Sequence, residues 1–145
     1  MELESDATPI VIPRSDVLDG LVTLATRLLM AQLFLIAGVR KIFGWSTTIK
    51  YMGTHLPAPE VLIYAVVIME VGGGAMLVLG WRTRQVAALL AVFTLLAGLF
   101  FHQFWAVPDA QYVAQLNNFL KNIAIVGGLL MLVLHGGGKL SVDGR

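Results

Sequence analysis

The sequence has 145 residues, room for one domain; 57% of them are hydrophobic and only 13% are charged. An ordinary soluble domain carries about 25% charged residues, so with a mean hydropathy of +0.80 a water-soluble globule of this size is excluded, as is disorder over most of the chain. A net charge of +1 argues against nucleic-acid binding, and the lack of cysteine removes disulfides, thiolate metal sites and iron–sulfur ligation. The remaining class is an integral membrane protein.

Residues 1–16 read as a short solvated tail, with Glu2, Glu4 and Asp6 in place of the basic start of a secretory signal. Four apolar stretches follow, at about 21–43, 61–80, 85–105 and 117–135, each long enough to cross a bilayer core of roughly 30 Å as a helix. Asp16 or Asp19 caps the first, which runs on to Gly44 with Arg40 and Lys41 near its end. Pro57-Ala58-Pro59-Glu60 opens the second, with proline and an acid where a helix start favours them. Gly80 to Arg84 makes a tight turn into the third, Pro108-Asp109 breaks it, and Gly136-Gly137-Gly138 ends the fourth. Continuous apolarity without alternation selects helices over barrel strands. The expectation is an all-α, four-transmembrane-helix, up-down bundle over 17–136 with a short tail at 137–145. Arg14, Arg82, Arg84, Lys139 and Arg145 on one face, against Arg40, Lys41, Lys50 and Lys121 on the other, place both termini in the cytoplasm.

Only Arg27, Glu70 and Lys121 bring charge deep into these stretches, where an unpaired charge costs at least about 2.5–3.5 kcal/mol. Side chains lean towards the N-terminus of their helix, and in an up-down bundle that lean alternates. Arg27 therefore either snorkels back to the near surface or faces the interior; its helical stripe runs through Ala31, Phe34 and Gly38 to Lys41. Glu70, beside Gly72-Gly73-Gly74, leans towards the outer half, and Lys41 leans inward to meet it. A Glu70–Lys41 contact is expected, either as a device that fixes helix register or as part of a site. His102 lies near the outer end of the third helix, and Asn118, Lys121 and Asn122 near the start of the fourth.

Together Lys41, Glu70, His102, Asn118, Lys121 and Asn122 project to the outer half of the bundle. Lysine and asparagine donors suit a small ligand with carbonyl or anionic oxygens, a glutamate or histidine can move protons, and the apolar remainder could hold a quinone ring. Metals and haem are not expected. The three histidines, His55, His102 and His135, form no paired helical motif, and no phosphate loop or dinucleotide fingerprint occurs.

Arg27, Gly38-x-x-Lys41, Glu70 with its glycines, His102, the run Asn118 to Asn122 followed by Gly127-Gly128, and the closing Ser141-Val142-Asp143 resemble the DoxX family over roughly residues 17–143. The resemblance implies a small four-helix bacterial inner-membrane protein. Similar proteins serve as membrane subunits of oxidoreductase systems, including thiosulfate:quinone oxidoreductase, or accompany oxidative-stress and quinone-detoxification partners. Arg27, Lys41, Glu70, Lys121 and Asn122 match the family's charged positions.

Three readings of function remain open from the sequence. One is a membrane subunit that supports an oxidoreductase partner and binds quinone or a small oxidised substrate in the outer half. Another is a non-enzymatic anchor or assembly partner. The last is a small proton-linked transporter, which with four helices would need to act as a homodimer.

Overall fold

The computed structural model describes residues 16–144; most of the expected N-terminal tail lies outside them. Helix α1 spans Asp16–Phe43, with acidic side chains in its first turn and Arg40 and Lys41 in its last, each charge complementing the helix dipole. The second span, Pro59–Leu79, is made of α3 (Pro59–Val67), a π-helical turn (Ile68–Gly72) and α4 (Gly73–Leu79). Helix α5 covers Thr83–Phe101, continued by a 3-10 turn at Phe104–Ala106, and α6 covers Asp109–His135. The chain is all-helical, and four helices are long and apolar enough to cross a membrane. Helix α6 begins eight residues before its apolar stretch, because Pro108 supplies the extended residue from which the helix starts.

One element is absent from the sequence expectation. Residues expected as loop form α2, Trp45–Gly53, directly after α1. Its buried and half-buried positions are Trp45, Thr48, Ile49 and Met52, a one-face spacing. At this distal end of the bundle Trp45 meets Tyr64 of α3 edge to face at 5.0 Å, while Tyr51 stacks on Phe101 of α5 at 5.6 Å. Phe104, Trp105, Tyr112 and Phe119 form a second aromatic group nearby. Two aromatic groups at one end fit a membrane–water interface.

The spans pack in a ring: α1 against the second span, the second span through α4 against α5, α5 against α6, and α6 back on α1. The core of Ala31, Phe34, Leu77, Val86, Ala87, Leu90, Ala91, Leu129 and Leu132 lies towards the end that carries the termini. Outward-facing leucines, valines and isoleucines cover the rest of the bundle, as a hydrocarbon solvent requires.

At that terminal end the segment after α6 folds back and ties three helices. Arg27 is fully buried in the bundle, which settles its orientation as inward. One terminal guanidinium nitrogen donates to the carbonyls of Leu77 (3.3 Å) and Val78 (3.1 Å), at the end of α4, and the second terminal nitrogen donates to the Leu140 carbonyl, while the buried Nε has no partner among the described residues. The Val142 and Asp143 N–H groups donate to Leu79 O (3.1 Å) and Gly80 O (3.0 Å). The Asp143 carboxylate accepts the Arg82 N–H at 2.9 Å, the Thr83 N–H at 2.8 Å and the Thr83 hydroxyl at 3.0 Å. It thus caps α5 from a distant part of the chain. Arg82 adopts a left-handed backbone (φ 49°) that turns two successive N–H groups onto this one carboxylate. Gly80 is also left-handed (φ 67°), and a Cβ there would overlap Arg27 and Ser141. Lys139 completes the tie with an exposed ion pair to Asp16 at 2.7 Å.

Candidate functional site

The distal half contains the buried ion pair expected from the sequence. Lys41 Nζ donates to Glu70 Oε1 at 2.8 Å and to Oε2 at 2.9 Å. The Glu70 side chain is 6% exposed and that of Lys41 28%. Helix α1 can come this close because residue 38 is glycine. A Cβ on Gly38 would stand 2.6 Å from Val71 Cγ2 and 3.1 Å from Glu70 Cβ, distances at which the backbones must separate. One helical turn later, Lys41 reaches the carboxylate that this contact has brought alongside. The spacing Gly38-x-x-Lys41 is thus a seat followed by a donor.

Glu70 sits in the middle of the π-helical turn. A π turn widens the helix by one residue and occurs frequently at functional positions. The three glycines beside it have different surroundings. A Cβ on Gly73 would press on Leu90 of α5 and one on Gly74 on Leu35 of α1, whereas Gly72 faces open space. The triplet therefore lets two neighbouring helices approach and leaves one position clear.

An open groove of about 410 Å³ runs beside the pair over one face of α1 and α2, lined by Ala37, Arg40, Lys41, Gly44, Thr47 and Thr48. An ammonium group has three N–H donors. Two of those on Lys41 are directed to Glu70, and one is left for the groove that Lys41 lines. The Thr48 hydroxyl donates to Gly44 O at 3.0 Å, so only its lone pairs are open to a ligand. Arg40 is exposed at the rim with no bond to any described residue. The site therefore offers two cations, one of them neutralised by Glu70, and the free hydroxyl of Thr47. This donor set can hold a carbonyl or anionic oxygen.

The other expected residues sit on the α5–α6 seam. The ring of His102, at the end of α5, is 3.0 Å from Gln115 Oε1 of α6. Asn122 lies over Gly98 of α5, where a Cβ would come within 3.3 Å of its side chain. Asn118, one turn before Asn122 in α6, is half-buried, and Lys121 is exposed. Among the described residues no hydrogen bond or ion pair joins these four to Lys41 or Glu70. The distal half thus contains a charged pair on α1 and the π turn, and a polar seam on α5 and α6. No group of three or more metal-ligating acids or histidines occurs among the described residues. Sequence reasoning missed Arg40, Thr47 and Thr48 as lining residues. The signal was the one-face spacing of 45, 48, 49 and 52, which makes a helix of the segment that lines the groove.

Four membrane-spanning helices, an intramembrane lysine–glutamate pair on a π turn and a polar α5–α6 seam define a small multi-pass membrane protein. The model of the DoxX family matches residues 22–103. The chain is 37% identical over 126 residues to inner membrane protein YqjF of Escherichia coli, covering 87% of this chain and 92% of that one. It is 33% identical over 123 residues to inner membrane protein YphA of the same organism, covering 84% and 88%. A Surfeit locus protein 4 homolog of Schizosaccharomyces pombe is 33% identical over 113 residues, which are 76% of this chain and 36% of that protein. No solved structure matches. The chain belongs to the DoxX family and, by its likeness to the two Escherichia coli proteins, is an inner-membrane protein.

Proposed function

We propose that this protein is a membrane subunit that supports an oxidoreductase system, taking quinone or another small oxidised ligand at the Lys41–Glu70 pair. The observation that carries the proposal is Lys41 itself: it is held by two bonds from a buried carboxylate and lines an open groove of about 410 Å³. A ligand oxygen entering there meets a donor that Glu70 keeps oriented. The redox centre belongs, in this proposal, to a partner subunit, since a cysteine-free chain carries no thiolate chemistry of its own. Both termini are cytoplasmic, by the excess of lysine and arginine on their face; a reporter enzyme active only in the periplasm, fused to the C-terminus, should be silent.

The test is binding of a short-chain quinone to purified protein in a non-ionic detergent, followed by quenching of Trp45 fluorescence, with Trp45→Phe as the blank. Wild type should bind, and Lys41→Met should weaken binding roughly tenfold or more, the worth of one charge-assisted hydrogen bond. A folded wild-type protein that neither quenches with quinone nor retains quinone through purification rejects the proposal. A second reading has support of its own: the pair is bidentate and seated by Gly38, as a device for helix register would be. It wins if Lys41→Met and Glu70→Gln weaken assembly and leave quinone binding unchanged.

A further inference from the structure

The groove at the α1–α2 junction lies at the level where a span meets the membrane surface. Arg40 and Lys41 occupy the last turn of α1, and α2 follows after a single residue, Gly44. The Trp45–Tyr64 pair marks this level as interfacial, because such rings settle among lipid headgroups. Bilayer phosphates lie at the same depth. No acidic side chain lines this groove; the Glu70 carboxylate already has both oxygens on Lys41. That leaves one positive charge, on Arg40, with no counter-charge among the described residues.

We infer that this groove is a binding site for a phosphate group, held by the Arg40 guanidinium, the remaining Lys41 N–H and the Thr47 hydroxyl. A guanidinium presents paired N–H donors that match two oxygens of a phosphate. The lysine and threonine supply single donors from the consecutive turns of α1 and α2 that line this open groove. A monoanionic phosphodiester would balance the uncompensated charge of Arg40. Two sources carry the same chemistry: the headgroup of an anionic membrane lipid, and free inorganic phosphate. The inference rests on the groove being a ligand site, as the proposed function does. It does not rest on quinone or on any redox partner.

The experiment uses the full-length protein in a maltoside detergent, which contains no phosphate. Thermal stability is followed while phosphatidylglycerol is titrated in one arm and inorganic phosphate in the other. Arg40→Gln, Thr47→Val and the control Lys50→Gln are compared with wild type; Lys50 is an exposed base of α2 that does not line the groove. Phosphatidylglycerol should raise the melting temperature of wild type and Lys50→Gln alike. The apparent affinity of Arg40→Gln should fall roughly tenfold or more, for loss of a charge-assisted contact. Thr47→Val should lie between the two. A response to lipid alone identifies the headgroup as the source, and an equal response to inorganic phosphate identifies the free anion. No response to either ligand, or the same response in Arg40→Gln as in Lys50→Gln, overturns the inference. Quinone quenching is measured on the same variants without added lipid or phosphate, because both ligands would take the remaining Lys41 N–H; run apart in this way, the two proposals can fail independently.

Discussion

Removing one member of the Lys41–Glu70 pair should cost far more than removing both. Glu70→Gln leaves an ammonium facing a neutral amide, and Lys41→Met leaves a carboxylate in a pocket that is 6% exposed. Breaking a buried pair typically costs about 3–5 kcal/mol. Lys41 retains 28% exposure, and water at that end can solvate a stranded ammonium, so Glu70→Gln should fall below this range, at about 2–3 kcal/mol, while Lys41→Met, which strands the more buried group, should stay in its lower part, at about 3–4 kcal/mol. The double variant carries no stranded charge and should fall within about 1 kcal/mol of wild type, as apolar replacements of buried pairs do. The double-mutant cycle should therefore give a coupling of several kcal/mol. Reversible unfolding in mixed maltoside and dodecyl sulfate micelles measures all four proteins. Single variants within about 0.5 kcal/mol of wild type, or costs that simply add in the double variant, would refute the claim that burial makes the two charges interdependent.

Other consequences follow from the packing. Asp143→Ala removes three hydrogen bonds from the start of α5 and should lower stability by about 2 kcal/mol, the upper end for a lost helix cap; Asp143→Asn should recover part of it in the same unfolding assay. Gly38→Ala should cost about 1–2 kcal/mol, because overpacking outweighs the better helix propensity of alanine. Adding Val71→Ala, which deletes the atom that the new Cβ would strike at 2.6 Å, should restore most of the loss; no rescue would show that Gly38 is not the seat. Lys121 is exposed and makes no bond to described residues, so Lys121→Leu should leave the melting temperature of the purified protein unchanged within error. A clear fall would show a partner that the isolated chain conceals.

The four spans were legible because lipid imposes a coarse rule on composition that any window of about 20 residues reveals. The Lys41–Glu70 contact was legible for a finer reason: side-chain lean alternates between antiparallel helices and carries these two residues towards one level. What the sequence concealed is local or remote. The π turn at Ile68–Gly72 leaves no mark in hydropathy, since one extra residue per turn does not change which residues are apolar. Helix α2 is short and half polar, and its 45, 48, 49, 52 spacing competes with a reading as loop. Asp143 lies 60 residues from the helix that it caps, a separation at which no spacing rule operates. Of the six polar residues grouped from the sequence, Lys41 and Glu70 bond to each other and His102 to Gln115 across the α5–α6 seam, pairings that depend on three-dimensional packing rather than on spacing.

The Arg27 contacts tie the first described span to a segment made 113 residues later. That interval is on the order of ten seconds at bacterial synthesis rates. Until residue 140 is made the guanidinium lacks its Leu140 acceptor and has only the Leu77 and Val78 carbonyls, or the near surface, to turn to. A chain that stops before residue 140 therefore carries a buried arginine with one acceptor missing. The first buried charge of the bundle is thus completed only once the segment after α6 has been made.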